Sequence, residues 1–414
     1  MNFSKFAVKI KGLKMSKEIL LKQRKHFAYI LFLCLYSLSS CKQNNNPPFN
    51  QIKAEINIWD NVNTDEIQFL ETIPMIYIAG SGYDAGFQHG TMLSQLIQEN
   101  VRIMYEVVYD TTTFEGHYKY MWSLSQAREM EKHIPKIFRE EMKGVAEGSG
   151  VGYDDILLFN TYDDLLHLTS CSSISAAVCK KNNTLFHARN LDYPIDVLSD
   201  KNVVFHYRKQ KFISVGFPGY IGALTSTNYR GITLSSHTAR VNENKTGIPS
   251  GILYRIIIEK SAKVSDVERI LNSHQRTIGN NLMVSSCREN KTVVFEITPD
   301  TVVAVEGTEF SVATNHFVSE TMLNLSPPFE FSERRYTDLQ NFFEQRNNIQ
   351  INDVLDVMSG FDGNLFDWSS VANKGTVQSV VFLPCKRKIY IAKGTETPVN
   401  QAGYIVYDYG KYVE

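Results

Sequence analysis

The stretch 170–194, SCSSISAAVCKKNNTLFHARNLDYP, carries a thiol, a guanidinium and a carboxylate at a spacing that one hairpin would bring together. Cys171 stands where a helical pattern gives way to a strand pattern. Residues 172–178 and 184–188 read as short strands around a Lys180-Lys181-Asn182-Asn183 turn. Arg189 and Asp192 follow at the end of the second strand, so the hairpin folds them back toward Cys171. A neighbouring guanidinium favours thiolate over thiol. A neighbouring carboxylate can hold an amine proton and fix its orientation. Taken alone, a cysteine is more often a small buried hydrophobe than a nucleophile. Strand alternation also puts His187, Arg189 and Leu191 on one face, within reach of the thiol.

The rest of the chain must position these groups. Residues 52–82 predict short mixed strands, such as 75–79, and 84–148 a helical region, with Leu93, Leu96, Ile97, Val101, Ile103, Met104 and Val107 largely at helical spacing. Asp154-Asp155 opens a further helix through ILLFNTYDDLLHL. Strands are expected at 202–208, 211–216, 221–226 and 231–236, then helices at 250–262 and 264–273. Strands return at 282–286, 292–297, 301–306 and 310–314, followed by helices at 332–346 and 351–358. Closing strands fall at 376–383 and 388–393. The expected domains are a helical chain at 52–170 and an α+β body at 171–414.

In this context CSSISAAV and LFHARNLDYP resemble the start of the catalytic chain in the N-terminal-nucleophile (Ntn) cysteine amidohydrolases of the acid ceramidase and N-acylethanolamine-hydrolysing acid amidase group. EEMKGVAEGSGVGYDDILLFNTYDDLL (140–166) resembles the segment before their self-cleavage site, and FPGYIGALTSTNYRGITLS (217–235) a later block. GSGYDAGFQHG (80–90) is closer to the penicillin acyltransferase (peptidase C45) and choloylglycine hydrolase branch. The resemblance implies an α+β fold, a four-layer αββα sandwich, and autocleavage between Ser170 and Cys171. It implies that Arg189 and Asp192 orient the nucleophile, that Asn315 of Thr314-Asn315-His316 supplies an oxyanion donor, and that Arg334 or Arg335 lies near the thiol. Ser236 and His237 stand where the family places another polar residue, which leaves the second oxyanion donor open.

Other clusters have plainer readings. Asp154-Asp155 and Asp163-Asp164 suit helix starts and solvated faces, and His316 points away from Asn315's face. Gly216-Phe217-Pro218-Gly219 reads as a turn beside the site. Cys179, Cys287 and Cys385 lack metal-ligand spacing and are read as core, or as containing a disulfide pair. No cofactor or metal is expected.

The 414 residues are 43% hydrophobic, 12% aromatic and 21% charged, which excludes a disordered chain and favours sheet. A net charge of −1 without a basic stripe argues against a nucleic-acid partner. KQRKH (22–26) followed by FAYILFLCLYSLSS (27–40) reads as a secretory signal, with Leu38-Ser39-Ser40-Cys41 as a lipobox. The expectation is a signal peptide at 1–40, lipidation of Cys41 and a tether at 41–51. The protein is expected outside the cytoplasm, lipid-anchored to the membrane of the cell envelope. Three functions compete. One is an amidohydrolase acting on an N-acyl amide small molecule, after which the two cleaved chains stay associated. Another is an acyltransferase of the same fold with an amine acceptor. The last is an envelope lipoprotein that binds a ligand without chemistry, which loss of Cys171, Arg189, Asp192 or Asn315 would have favoured.

Overall fold

The computed structural model describes residues 67–166, 169–178, 184–194, 198–242, 244–307, 309–346, 349–360 and 367–412. The signal segment, Cys41, the tether, Cys179 and the Lys180–Asn183 turn lie outside the described residues. In chain order come β1 (Gln68–Leu70), β2 (Ile73–Ile78), α1 (Tyr83–Met92), α2 (Ser94–Ile103), a π-helical turn (Met104–Tyr109), α3 (Phe114–Glu131), α4 (Lys136–Ser149), α5 (Tyr153–Phe159) and α6 (Tyr162–Leu166). There follow β3 (Ser170–Val178), β4 (Thr184–Asp192), β5 (Val203–Tyr207), β6 (Phe212–Gly216), β7 (Thr225–Asn228), β8 (Ile232–Thr238), α7 (Ser250–Lys260) and α8 (Val264–Ser273). The remainder is β9 (Asn280–Ser286), β10 (Lys291–Ile297), β11 (Val302–Glu306), β12 (Phe310–Ala313), α9 (Glu330–Glu344), α10 (Ile351–Met358), β13 (Thr376–Leu383), β14 (Lys388–Ala392) and β15 (Tyr404–Asp408).

The strands form two sheets. One has nine strands in the order β1-β2-β5-β6-β7-β8-β9-β10-β11, the other six in the order β12-β3-β4-β13-β14-β15. Pairing is antiparallel except between β2 and β5. Side-chain alternation shows how the layers stack. Ile76 and Ile78 of β2 face a core shared with α1 to α8, whereas Met75 and Tyr77 face a core shared with β13, β14 and β15. Ile174, Ala176, Phe186 and Ala188 face α9 and α10. The stack is therefore helices, sheet, sheet, helices: the expected αββα sandwich.

Four glycines let α1 and α4 cross in near backbone contact. A Cβ on Gly86 would stand 1.8 Å from the Glu141 carbonyl oxygen, and one on Gly144 would stand 2.2 Å from that of Tyr83. The GFQHG and GVAEG spacings thus serve helix packing. The predicted helix through 154–166 breaks at Asn160-Thr161, where the Asn160 side chain bonds the 219–221 backbone. That loop also displaces the strand predicted at 221–226 to β7. The edge strand β1 falls within the short strands expected over 52–82, whereas the edge strand β15 has no counterpart in the sequence expectations. Cys287, in the β9–β10 turn, is disulfide-bonded to Cys385, between β13 and β14, which staples the two sheets together.

Candidate active site

The site forms at one end of the β3–β4 hairpin. Register pairs Ser170 with Asp192, Cys171 with Leu191 and Ser173 with Arg189. Cys171, Ser173 and Arg189 face the interior between the sheets. Arg189 places Nη2 3.4 Å from the Cys171 sulfur and donates to the Ser236 carbonyl at 3.0 Å, while Nη1 bonds Thr225 Oγ1. Thr225 in turn donates to Gln378 Oε1 at 2.7 Å. The hairpin thus does what its sequence predicts. Burial nevertheless pushes the Cys171 thiol up, and Arg189 pulls it down without overcoming that effect.

Asn315 and Arg335 hold the Ser170–Cys171 peptide from the other side. The Cys171 amide donates to Asn315 Oδ1 at 2.8 Å, and Asn315 Nδ2 donates to the Thr238 carbonyl at 2.9 Å. Arg335 donates through Nη1 to the Cys171 carbonyl at 2.9 Å and through Nη2 to Ser170 Oγ at 2.7 Å and Asn315 Oδ1 at 3.1 Å. Asn315 therefore presents its oxygen to the Cys171 backbone nitrogen. The Arg pair is resolved by helical geometry. Ser332 and Arg335 lie three apart on the buried face of α9, while Arg334 turns outward. Ser332 Oγ accepts from the Asn315 amide at 2.7 Å. Arg334 pairs with Asp367 at the surface, with 54% of its side chain exposed, and is not part of the site.

Asp192 lies below this peptide. It accepts from Thr376 Oγ1 at 2.7 Å and Asn373 Nδ2 at 3.0 Å, and stands 3.5 Å from Arg335. Burial pushes its carboxyl up, against the charge of Arg335. Sequence reading missed Asn373, Thr376, Thr225 and Gln378. The block 369–380 carries no motif, and only the β4–β13 pairing brings it to Asp192.

His187 does not reach the thiol. Its ring bonds Ser285 through Nδ1 at 2.8 Å and Ser235 through Nε2 at 2.7 Å, and burial holds its pKa down to about 3. His237 bonds Ser173 Oγ at 2.6 Å and the Asn281 carbonyl at 2.9 Å, so it belongs to the same buried polar layer between the sheets. Ser236 contributes its carbonyl to Arg189. His316 sits against Ser332 at 2.8 Å.

The apolar side of the site combines Phe159 and Tyr162 with Cys171, Leu191, Tyr193, Leu198, Phe217, Tyr220 and Val377. The pair Asp163-Asp164, expected on a solvated face, is buried. Tyr193 donates to Asp163 at 2.7 Å, and Asp164 accepts from the Ser250 amide at 3.0 Å and from Thr277. These carboxylates bond other elements instead of facing water. Among the described residues no cluster of His, Cys, Asp and Glu could hold a metal ion.

Known proteins similar to this chain include both curated sequences and solved structures. Among curated sequences, an uncharacterized protein of Archaeoglobus fulgidus is 24% identical over 49% of this chain and 40% of its own length. Protein dcd1B of Dictyostelium discoideum is 22% identical over 56% of this chain and 51% of its own. Acid ceramidase of Rattus norvegicus is 25% identical over 44% of this chain and 54% of its own. The chain spans about half the length, or less, of these curated relatives. Among solved structures, a Caenorhabditis elegans N-acylethanolamine-hydrolyzing acid amidase ortholog gives a TM-score of 0.41 at 20% identity, covering 52% of this chain and 93% of its own. Penicillin V acylase from Agrobacterium tumefaciens gives 0.38 at 14% identity, covering 53% and 82%. Residues 178–397, more than half of the sequence, match one family, and the chain belongs to it: the family described as acyl-coenzyme A:6-aminopenicillanic acid acyl-transferase.

Proposed function

We propose that the chain is a self-processing cysteine amidohydrolase. It cleaves linear C–N amide bonds of N-acylated small molecules, foremost N-acyl lipids, through a thioester acyl-enzyme. The observation that carries this reading is the convergence on the Ser170–Cys171 peptide: Arg189 at the sulfur, Asn315 at the nitrogen and Arg335 across both residues. The family match and the acid ceramidase relative support an acyl-group chemistry.

Maturation begins when the Cys171 thiolate attacks the Ser170 carbonyl. The peptide bond breaks as a thioester forms, and water releases Ser170 as a carboxylate and Cys171 as a new N-terminus. An α-amine has a pKa near ~8, so it can serve as a base where a peptide nitrogen cannot. Asn315 Oδ1 already accepts a hydrogen bond from that nitrogen and would keep accepting one from the amine. The amine takes the thiol proton, and the thiolate attacks a substrate amide. The proton passes to the leaving amine, and water then releases the acyl group. Asn315 Nδ2 carries a second hydrogen for the oxyanion. The contacts of Glu141 with Arg255 at 3.2 Å and of Asp164 with Ser250 support association of the two chains after cleavage.

A second reading, transfer of the acyl group to an amine, is favoured by the description of the matched family. The lipid-anchored envelope location is part of the proposal, and the Cys287–Cys385 disulfide supports an oxidising compartment. Intact-mass measurement and N-terminal sequencing test the proposal. Active protein should contain a chain beginning at Cys171, and Cys171→Ala should stay as one chain. An active preparation with an intact Ser170–Cys171 bond overturns it. In a panel of N-acyl amides, kcat/KM should rise with acyl length, since each buried methylene contributes about 0.8 kcal/mol. Faster cleavage of acetyl or phenylacetyl amides than of palmitoyl amides would overturn the lipid preference alone. Product analysis with an added amine distinguishes hydrolysis from transfer.

A further inference from the structure

The loop 217–222 (Phe-Pro-Gly-Tyr-Ile-Gly) is buried yet belongs to neither sheet. Buried backbone outside helices and sheets must find its hydrogen-bond partners elsewhere. Here, apart from the Tyr220 amide, which donates to the Phe217 carbonyl at 3.0 Å, they come from side chains, most of them on the N-terminal helices. Asn100 of α2 donates to the Pro218 carbonyl at 2.9 Å. His89 of α1 accepts from the Gly219 amide through Nε2 at 3.0 Å. Asn160, between α5 and α6, donates to the Gly219 carbonyl at 3.0 Å and accepts from the Ile221 amide at 2.8 Å. Arg255 of α7 completes the set at the Ile221 carbonyl, 2.7 Å away. Gly219 itself lies at φ 90°, a conformation that a residue with a Cβ rarely adopts.

Two aromatic side chains of this loop belong to the cluster that holds Cys171, whereas Ile221 packs into the helix-side core. Phe217 and Tyr220 share the apolar cluster of Cys171. Phe217 meets Tyr193 edge-on at 6.3 Å between ring centroids, and Tyr220 meets Phe159 edge-on at 6.2 Å. The N-terminal region therefore reaches the site twice, directly through Phe159 and Tyr162 and indirectly through the three polar side chains. Burial holds His89 down to about 3, with the charge of Arg255 acting in the same direction, so it is a neutral acceptor at ordinary pH.

We propose that Asn160, His89 and Asn100 are specificity-determining positioning residues, which fix the 217–222 loop as one wall of the acyl pocket at Cys171. The proposal rests on the amidohydrolase reading above. Once the Ser170–Cys171 bond is cut, these three residues and the loop belong to different chains. The wall then keeps its shape only while the chains remain assembled. A loosened wall penalises a long acyl group, which must fill the pocket, more than a short one.

The test compares Asn160→Ala, His89→Ala, Asn100→Ala and His89→Gln in the full-length protein. Two readouts are hydrogen exchange of the peptide spanning 217–222 and the ratio of kcat/KM for palmitoyl over butanoyl amides. Loss of one bond should raise exchange at Gly219 or Ile221 about tenfold and lower the ratio by about tenfold. His89→Gln keeps a neutral acceptor and should recover most of both. Asn100→Ala removes a single bond and serves if Asn160→Ala fails to fold. Unchanged exchange in folded variants overturns the clamp, as does an unmoved ratio when exchange rises. If the wild type cleaves no N-acyl amide, the amidohydrolase reading falls instead. The clamp is then read from alkylation of Cys171 by iodoacetamide and by its long-chain N-alkyl analogue, whose relative rates should shift by the same factor in the variants. Equal relative rates would overturn it.

Discussion

Replacing Arg335 with Met removes the one guanidinium that ties Ser170, Cys171, Asn315 and Asp192 together. Arg335 is fully buried and bonds five side-chain and backbone oxygens besides the Asp192 carboxylate. Removing one partner of a buried ion pair typically costs about 3–5 kcal/mol. Arg334→Met is the matched control, because its pair with Asp367 is exposed and worth about 0–1 kcal/mol. We expect the two neighbours to differ by roughly 3 kcal/mol in urea unfolding, measured on a Cys171→Ala background so that one unbroken chain is compared. The loss should also depend on pH. Burial already raises the Asp192 carboxyl and Arg335 opposes that rise, so removing Arg335 raises it further. A carboxyl whose folded pKa exceeds its unfolded value loses stability as pH climbs from the unfolded value, about 4, through the folded one. The deficit of Arg335→Met should therefore be larger at pH 8 than at pH 5. Equal losses for the two variants, or a deficit that shrinks with rising pH, would refute the assignment of Arg335 to the site.

Other outcomes follow from the same geometry. Asn315→Ala should lower turnover by about 100–1,000-fold if it supplies an oxyanion donor. It should also lower stability by about 1–3 kcal/mol, because the buried Cys171 amide loses its acceptor; an unchanged turnover number removes Asn315 from the chemistry. Burial lifts Asp163 to about 7 and Asp164 to about 6, in each case against opposing hydrogen bonds. Stability should thus fall as pH rises from about 4 to 7, and Asp163→Asn should flatten the upper part of that fall in urea midpoints measured across pH. The Cys287–Cys385 bridge closes a 98-residue separation, so Cys287→Ser should lower stability by about 2–4 kcal/mol in non-reducing buffer and by little in reducing buffer.

The hairpin at Cys171 was legible because a strand period of two and a short turn fix which residues lie opposite each other. That local rule suffices to bring Arg189 to the sulfur. It cannot say which of Arg334 and Arg335 faces inward, since adjacent helical positions differ by only about 100° and either orientation satisfies the local pattern. Asp163-Asp164 misled for a related reason. Paired carboxylates read as solvated until Tyr193, Ser250 and Thr277 are known to meet them.

By itself, then, the sequence indicated most of the elements, the hairpin at Cys171 and the groups that sit a few residues or one hairpin away from that thiol. The tertiary structure decided everything that depends on contacts between distant strands and helices. It chose Arg335 over Arg334, turned Asn315 Oδ1 toward the Cys171 nitrogen, and supplied Asn373 and Thr376 to Asp192. It also gave His187 to a structural layer and bound the 217–222 loop to Asn100, His89 and Asn160. The physical reason is that periodicity encodes which face of an element is buried. The partner of a buried polar atom is set instead by how the four layers stack.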